Sequence, residues 1–313
     1  MELVHLRALG KTGLNVSLLS FGASPLGNVF GTVTDADAVT TVHKALDQGV
    51  NLFDTAPYYG MTLSETRLGS ALKGRRHEAI LSTKCGRFGA ADFDFSAARV
   101  FSSIDESLRR LQTDYVDILH VHDIEFGDRS QIVSETLPAL EEVRRNGKIR
   151  CIGVTGLALG MLQDVAAASD SVDVVLSYCR YNLLNRDLDV ELASFCKTRG
   201  IGLINASPLH MGLLAQGVPP PWHPAPEDVK TAARQLVELC CRRGVDPAAL
   251  ALQFALANPD VASTLVGIAS VEQLDANLRA AEGTMDADLL AEIEVLVEPV
   301  RHTMWVTGRV ENH

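Results

Sequence analysis

Eight short apolar segments recur along the chain, and amphipathic segments separate them. The apolar segments are 18–23, 50–54, 80–84, 116–122, 151–155, 174–178, 202–206 and 264–268. Such near-continuous hydrophobic runs are typical of strands buried on both faces of a parallel sheet. Between them, segments such as 37–48, 96–112, 132–145 and 188–199 place apolar side chains three and four residues apart, which predicts helices. Eight strand–helix units predict a closed (β/α)8 TIM barrel.

Two further features complete the fold prediction. The first twenty residues alternate like strands around the turn signal GKTG at 10–13, which predicts an N-terminal β-hairpin. The first barrel strand is not followed by GxGxxG, the phosphate loop of an open dinucleotide-binding sheet. Because no linker or shift in composition divides the 313 residues, we expect one barrel domain spanning 1–313.

Charge and composition argue against several classes of protein. The chain has 28 Lys and Arg against 39 Asp and Glu, a formal net charge of −11, which disfavours nucleic acid and anionic membranes as partners. It has neither an apolar stretch long enough to span a bilayer nor a signal-peptide pattern at residues 1–10. Its six cysteines are scattered, as expected for reduced thiols. We expect a cytoplasmic monomer or homodimer that acts on small molecules without a metal.

Four polar side chains follow three of the predicted strands at their carboxyl ends. They are Asp54, Tyr59 five residues later, Lys84 and His122. In a parallel barrel these ends meet at one mouth, where catalytic residues project. The set suits hydride transfer between an alcohol and a carbonyl, because a phenol with a pKa of about 10 needs a nearby ammonium to exchange protons. We expect Lys84 to stabilise ionised Tyr59 and Asp54 to hold Lys84. His122 would then orient the substrate oxygen.

The motifs around these residues resemble those of the aldo-keto reductase superfamily. They are NLFDTA at 51–56, YYG at 58–60, STK at 82–84 and DYVDILHVH at 114–122. The resemblance covers essentially the whole chain. It implies an eight-stranded barrel, a nicotinamide dinucleotide cofactor and Tyr59 as proton donor or acceptor. Lys84, Asp54 and His122 are implied as its supporting residues.

Longer stretches are similar to the plant-type L-galactose dehydrogenases within this superfamily. They are FGASPLG at 21–27, DFDFS at 92–96, HDIEFG at 122–127, ASPLHMGLL at 206–214, and EPV at 298–300 with Trp305. The resemblance implies NAD-dependent oxidation of L-galactose at C1 to L-galactono-1,4-lactone, a step of ascorbate biosynthesis. Tyr59 then acts as the general base.

The chain departs from the superfamily where the nicotinamide is expected to bind. Many members have Ser-Asn after the fifth strand, which grips the carboxamide, whereas this chain has Thr155 and Gly156. Ala206 replaces a commonly stacking tyrosine after the seventh strand. We therefore expect Tyr178, at the end of the sixth strand, to stack on the nicotinamide instead. Packing at the barrel rim is the alternative role for this side chain.

Two later segments are implied to hold the rest of the cofactor. The first is a pyrophosphate loop whose backbone amides can bind phosphate. Its residues are Ser207, Pro208, Leu209 and Gly212. The second begins a predicted helix over 271–280, whose N-terminus favours anions, and it is implied to contact adenosine. Its residues are Gly267, Ser270, Gln273 and Asn277.

The charge around the second segment favours NAD over NADP. NADP-preferring relatives place Lys and Arg where this chain has Gly267 and Gln273, and Glu272 adds negative charge. A 2′-phosphate would therefore find no bidentate partner and some repulsion. Arg279, two turns along the helix, is the residue that could overturn this expectation.

A carboxylate follows the predicted catalytic histidine, where many relatives have a bulky apolar residue. Asp123 suits a hydroxyl-rich ligand, and sites that hydrogen-bond hydroxyls discriminate against analogues that lack them. Trp222, in a proline-rich loop, and Trp305, near the C-terminus, are further candidates for binding a sugar. Additional candidates are Arg87, Glu125 and His223. We expect the latter two to be solvated loop residues.

Two residues near the predicted site are assigned no catalytic role. His120 precedes His122 by two residues, so both point to one face of the strand, but the pair alone does not predict a metal site. We expect His120 to be a neutral, hydrogen-bonded histidine inside the barrel. Cys85 points to the face opposite Lys84, and thiol catalysis would need an adjacent base.

Other functions stay open at this point. L-Fucose or another aldose is an alternative substrate, since L-fucose shares most of the ring stereochemistry of L-galactose. An NADPH-dependent carbonyl reductase would use the same four residues. The non-enzymatic alternative is a dinucleotide-binding regulator like the potassium-channel β subunits of the superfamily, against which the intact set of four argues.

Overall fold

The structure is a closed barrel of eight parallel strands, as the sequence predicts. The computed structural model describes residues 5–217 and 219–312. Its strands are β1 (Leu6–Ala8), β2 (Asn15–Ser17), β3 (Leu19–Gly22), β4 (Leu52–Asp54), β5 (Ile80–Cys85), β6 (Val116–Val121), β7 (Ile149–Gly156), β8 (Val174–Tyr178), β9 (Gly202–Ala206) and β10 (Ser263–Gly267). Strands β3 to β10 hydrogen-bond in chain order, and β10 closes the barrel by pairing with β3.

The predicted N-terminal hairpin is confirmed and fills the lower end of the barrel. Strands β1 and β2 pair antiparallel. Three residues of the hairpin join one apolar cluster with residues of the barrel strands; the cluster includes Leu9, Leu14, Val16, Leu52, Ile118, Leu176 and Ile204. The hairpin turn is also tied to the barrel, because the Lys11 amide donates to the Gly200 carbonyl at 2.8 Å. The opposite end, where the strands have their carboxyl termini, carries the polar residues described below.

Helices surround the barrel and cover its outer face. They are α1 (Asp35–Asp47), α2 (Leu63–Leu72), α3 (Ala97–Leu111), α4 (Arg129–Gln131), α5 (Leu137–Arg145), α6 (Leu159–Ala168), α7 (Ser194–Arg199), α8 (Glu227–Arg242), α9 (Pro247–Leu256), α10 (Val271–Glu282) and α11 (Ala287–Val297). In the part of the chain that the structure describes, no helix is long and apolar enough to cross a bilayer.

Helix α3 shows why the amphipathic segments fold as predicted. Ser96 caps its first turn by accepting from the Arg99 amide. The stripe Val100, Ile104 and Leu108 is buried against the barrel. Burying each such side chain contributes about 1.5–3 kcal/mol, so the stripe, more than helix propensity, holds the helix in place.

The predicted helix over 132–145 is widened in its first turn. Residues Ile132–Thr136 form a π-helical segment that runs directly into α5. Pro138, near the start of α5, has no amide hydrogen to donate to the carbonyl four residues earlier, and its ring crowds that carbonyl. The wider turn relieves this contact, which a hydrophobic pattern alone does not reveal.

Alternation along β5 decides which side chains reach the barrel interior. Lys84 contacts Asp54 of the neighbouring strand inside the barrel. Thr83 faces outward and donates to Glu65 of α2 at 2.6 Å, and Cys85 joins the outer apolar core. The period of two therefore aims the ammonium at the mouth of the barrel and keeps the thiol away from it.

Candidate active site

Asp54 and Lys84 form a buried ion pair at the ends of β4 and β5. Their carboxylate and ammonium groups are in contact, and Lys84 Nζ also donates to the Thr55 carbonyl at 2.7 Å. Ser82 Oγ donates to the second carboxylate oxygen at 2.7 Å. Burial lowers the pKa of Lys84, but the charges of Asp54 and Tyr59 outweigh burial and raise the pKa above its ordinary value. The amine is therefore a fixed positive charge.

Tyr59 lies beside this ammonium, in the loop after β4. Lys84 Nζ is 4.8 Å from the centroid of the phenol ring. Two glycines cross closely at this point: a Cβ on Gly60 would lie 2.1 Å from the Gly27 carbonyl oxygen, and one on Gly27 would lie 2.7 Å from the Tyr59 carbonyl. Gly60 has φ +62, a left-handed conformation that glycine adopts readily. The close contact between the backbones of Gly27 and Gly60 thus fixes the position of the Tyr59 phenol.

Burial and the Lys84 charge change the pKa of the Tyr59 phenol in opposite directions. Burial raises its pKa above the ordinary value of 10.0, and the positive charge of Lys84 opposes this change. The negative charges of Asp54 and Asp123 raise the pKa further. The phenol is therefore protonated at neutral pH, and the adjacent ammonium is what stabilises its ionised form.

His122 completes the group of four. Its amide donates to the Cys85 carbonyl at 2.8 Å, and its ring stands edge-on to the Tyr59 ring, with centroids 5.8 Å apart and an interplanar angle of 88°. Burial lowers the pKa of His122 well below its usual range, and the charges of Lys84 and Arg87 lower it further. The imidazole is therefore neutral. Its Nδ1 is buried and has no hydrogen-bond partner among the described residues.

Asp123 and Arg87 form a second ion pair next to His122. The carboxylate contacts the guanidinium, and Asp123 Oδ2 is 3.7 Å from His122 Nε2. The guanidinium also lies over the Tyr58 ring, 4.1 Å from its centroid. Asp123 Oδ1 is buried without a partner among the described residues, and Asp123 has φ 51, a strained conformation of the kind found at binding sites.

The expectation that Glu125 and His223 are solvated is wrong. Glu125 is 0% exposed and His223 is 3% exposed. Glu125 Oε1 accepts from the Leu157 amide at 2.9 Å and from Thr307 Oγ1 at 3.1 Å. His223 Nε2 donates to the His210 carbonyl at 2.9 Å. Contacts between loops bury both side chains, and such contacts leave no periodic signal in a sequence.

The two predicted sugar-binding tryptophans lie in different surroundings. Trp222 is 53% exposed; its ring is parallel to that of His223, with centroids 6.3 Å apart, and lies 6.0 Å from that of Phe30. Trp305 is half-buried and stands edge-on to His210 and His223, at 5.4 and 5.6 Å. These rings link the loops after β3 and β9 to the C-terminal segment. Nothing in the spacing of these residues predicts that they meet.

Thr155 and Tyr178 lie at the carboxyl ends of β7 and β8, where nicotinamide contacts are predicted. Thr155 is buried, and Tyr178 is half-buried. Burial raises the pKa of Tyr178 well above its ordinary value, and the charges of Asp123 and Glu125 add to the effect. Tyr178 therefore presents a neutral ring close to the Asp123 carboxylate.

The loop after β9 is a series of tight turns. Five of its described residues have positive φ: Ser207, His210, Met211, Gly212 and Gly217. Its own carbonyls already accept from several amides, since His210 donates to Ser207 and Gly212 donates to Leu209, at 2.9 and 3.0 Å. Pro208 is buried and has no amide hydrogen. The amides left for a phosphate are thus fewer than the sequence suggests.

His210 in this loop is a further buried histidine, for which the sequence pattern gives no signal. It is 1% exposed, and its Nδ1 accepts from Asn182 Nδ2 at 3.1 Å. Burial lowers the pKa of His210 to about 3, so the ring is neutral. It supports Trp305 from below, a placement that depends on how the loops pack.

Two of the predicted adenosine-contacting residues cap α10. Ser270 Oγ accepts from the Gln273 amide at 3.4 Å, and Gln273 Oε1 accepts from the Ala269 amide at 2.8 Å. This reciprocal capping orders the helix N-terminus, where the aligned amides favour an anion.

The first turn of α10 carries no basic residue. Glu272 lies there, and Arg279 is in the last turn. Gly267 and Glu272 are exposed and Asn277 is half-buried. A Cβ on Gly267 would lie 3.2 Å from Pro25 Cγ, so this position borders the loop after β3.

His120 fills the barrel interior below the site, as predicted. It is 0% exposed, and its ring lies against the backbone of Val154 on β7. A Cβ on Gly153 would lie 2.1 Å from His120 Nδ1, so the ring occupies the space that this glycine leaves. Burial lowers the pKa of His120 well below its usual range.

The geometry supports neither a catalytic role for the Cys85 thiol nor a metal site among the described residues. Burial raises the pKa of the Cys85 thiol to about 12. Over residues 5–217 and 219–312, no group of three or more His, Cys, Asp or Glu side chains is placed to hold a metal ion.

A phenol, an ammonium, a carboxylate and an imidazole converge at the mouth of a (β/α)8 barrel, which defines an oxidoreductase of the aldo-keto reductase type. Residues 18–298 match the model of the aldo/keto reductase family. The chain belongs to this family.

The chain is also similar to individual members of this family. The chain is 50% identical over 321 aligned residues to L-galactose dehydrogenase from Arabidopsis thaliana, with 100% of both chains covered. It is 31% identical over 315 residues to D-threo-aldose 1-dehydrogenase from a Pseudomonas species, covering 91% of this chain and 95% of that one. Among solved structures, an aldo-keto reductase from Bacillus halodurans in its holo form has a TM-score of 0.78 and 28% identity, with 99% of each chain covered.

Proposed function

We propose that the protein oxidises L-galactose at C1 to its lactone, with NAD as the electron acceptor, in the cytoplasm and as a step of ascorbate biosynthesis. The observation that carries the proposal is the placement of the Asp123–Arg87 pair beside His122 and Tyr59. A charged, hydrogen-bonding wall at the reacting position suits a polyhydroxylated ring better than a lipophilic carbonyl. The 50% identity to an L-galactose dehydrogenase supports the choice of sugar.

In the proposed mechanism, Tyr59 acts as the base. Its hydroxyl oxygen, ionised with the help of the Lys84 charge, takes the proton of the C1 hydroxyl group. His122, neutral because it is buried, hydrogen-bonds the same oxygen through its imidazole ring. A nicotinamide held by Thr155 and Tyr178 would supply the hydride acceptor for the oxidation at C1. The Asp123 carboxylate accepts a hydrogen bond from another ring hydroxyl.

The residues at the barrel mouth fit a dinucleotide. The capped N-terminus of α10 offers an anion site, and the backbone of the turns after β9 would hold the phosphates. Thr155 and Tyr178 would hold the nicotinamide end. NAD is favoured over NADP because the only charged residue in the first turn of α10 is Glu272, which would repel a 2′-phosphate.

A related aldose is the second candidate substrate. The 31% identity to an aldose 1-dehydrogenase over 91% of the chain favours this class, and L-fucose differs from L-galactose only at the terminal hydroxyl. Proton transfer to Tyr59 would be the same for either sugar, so only the residues that line the sugar pocket can distinguish the two substrates.

Initial rates with NAD on L-galactose, L-fucose and D-galactose, repeated with NADP, test the proposal. We expect the highest kcat/KM with NAD and L-galactose. Strong activity with NADP would contradict the charge argument at α10. Absence of oxidation of every sugar, with reduction of simple carbonyls by NADPH, would replace the proposal with a carbonyl reductase. A tightly held dinucleotide with negligible turnover would indicate a regulatory protein.

Stacking of Tyr178 on the nicotinamide is testable on its own. Tyr178→Ala is expected to raise the dissociation constant of NAD about tenfold, because the loss of one aromatic contact costs roughly 1–1.5 kcal/mol. Tyr178→Phe keeps the ring and should change it by less than about twofold. Fluorescence titration of both variants measures the difference. Equal effects of the two substitutions would show that the ring only packs at the barrel rim.

A further inference from the structure

Glu125 is a buried carboxyl group outside the group of four, on the one-turn helix that follows Asp123. The turn spans Ile124–Phe126, with Asp123 at its N-terminal boundary. Glu125 Oε1 accepts from the Leu157 amide at 2.9 Å, which ties the turn to the end of β7. A Cβ on Gly156 would lie 2.2 Å from Glu125 Oε2, so the carboxyl group occupies space that only glycine leaves. Oε2 has no partner among the described residues.

The C-terminal segment closes over the same turn. Thr307 Oγ1 donates to Glu125 Oε1 at 3.1 Å, and the Arg309 amide donates to the Glu125 carbonyl at 2.9 Å. Asn312 Nδ2 donates to the carbonyls of Glu125 and Gly127, at 2.8 and 2.9 Å. We call these contacts of residues 307–312 with Glu125 the C-terminal latch.

The latch depends on close backbone approach. A Cβ on Gly308 would lie 2.3 Å from the Glu125 carbonyl oxygen, and Gly308 has φ +82. Both the space and the left-handed conformation require glycine at this position. Both backbone and side-chain contacts therefore hold the C-terminal segment against the turn, and this segment is packed closely on the barrel.

We propose that the C-terminal latch makes Glu125 a positioning residue for Asp123, and so sets the affinity for the sugar. The inference rests on the proposed function, since it assigns Asp123 to a sugar hydroxyl. Asp123 has a left-handed backbone, and its carbonyl accepts the Phe126 amide at 3.0 Å, so the turn and Asp123 move together. Holding the turn at Glu125 holds the Asp123 carboxylate against Arg87.

The charge of Asp123 also affects Glu125. Burial and the charge of Asp123 together raise the pKa of Glu125 to about 8, although hydrogen bonds from Leu157 and Thr307 oppose the change. Glu125 is therefore largely protonated at pH 7. A neutral Glu125 adds no second negative charge to this turn, and this favours the ionised form of Asp123 beside Arg87.

A double-mutant cycle with Asp123 tests the proposal in the full-length protein with NAD and L-galactose. Glu125→Ala is expected to raise the sugar KM about tenfold, the size of one misplaced hydrogen bond, while kcat and the NAD dissociation constant change less than about twofold. In an Asp123→Asn background the same substitution should have little further effect. Asn312→Ala should shift KM in the same direction.

Two further variants separate positioning from general stability. Glu125→Gln keeps an acceptor for Leu157 and resembles the protonated carboxyl group, so KM should return to within about twofold of the original value. Glu238→Gln, at an exposed residue of α8, should change neither KM nor kcat. Additive effects of Glu125→Ala and Asp123→Asn, or parallel loss of kcat, NAD affinity and thermal stability, would overturn the proposal. If the unsubstituted protein oxidises no aldose, the proposed function itself fails.

Discussion

Replacing Tyr59 by Phe is expected to lower kcat for aldose oxidation by about 10²–10⁴-fold, the range that a positioned general base contributes. The substitution removes only the hydroxyl group. The ring stays against His122 and the Lys84 ammonium, so the dissociation constant of NAD should change less than about twofold. Steady-state rates and a fluorescence titration of NAD on the same preparation measure the two quantities.

The pH profile provides an independent test of the same role. Because burial raises the pKa of Tyr59 above 10.0, the ionised fraction grows with pH through the neutral and mildly alkaline range. The oxidation rate of the unsubstituted protein should therefore rise over that range, and Tyr59→Phe should abolish the rise. Tyr115→Phe, at an exposed tyrosine preceding β6, is the matched control and should behave like the original protein. Near-full activity of Tyr59→Phe would remove this residue from the mechanism.

Replacing Lys84 by Met is expected to lower kcat to a similar extent and to shift the rising limb of the pH profile to higher pH. The Lys84 charge is the main influence that lowers the pKa of Tyr59, so its loss reduces the ionised fraction at any given pH. A pH–rate profile before and after substitution measures the shift. An unchanged profile with reduced rate would show that Lys84 does not act on the phenol.

The same substitution also leaves Asp54 buried without its cation. Removing one partner of a buried ion pair costs about 3–5 kcal/mol, so the free energy of unfolding in urea should fall by that order. Asp54→Asn combined with Lys84→Met removes both charges and should recover part of the stability but none of the activity. Lys73→Met, at an exposed lysine that ends α2, controls for the loss of one positive charge and should change neither quantity measurably.

Local patterns in the chain are sufficient to predict the barrel and the neighbourhood of the four residues. A parallel strand carries its signal in a few consecutive apolar residues, and the residue after it must lie at the barrel mouth. Asp54, Lys84 and His122 can therefore be placed together from their positions in the chain alone. The same period of two correctly separates Cys85 from Lys84.

Contacts between loops are not predictable in this way. A loop position predicts that Glu125 and His223 are solvated, yet the C-terminal segment and the loop after β9 bury them. The ring of the buried His120 occupies the space beside Gly153, and the pairing of β6 with β7 provides that space. Such outcomes depend on which distant backbones meet, and no spacing along the chain encodes that.

By itself the sequence determined the barrel, the N-terminal hairpin, the net negative charge and the residue types at the strand ends. These follow from short-range periodicity and from the rule that parallel strands share one carboxyl edge. Only the tertiary structure decided the electrostatic state of the site and the C-terminal latch on Glu125. Burial and long-range contact set the pKa of each group and the placement of each loop, and both exist only once the chain has folded.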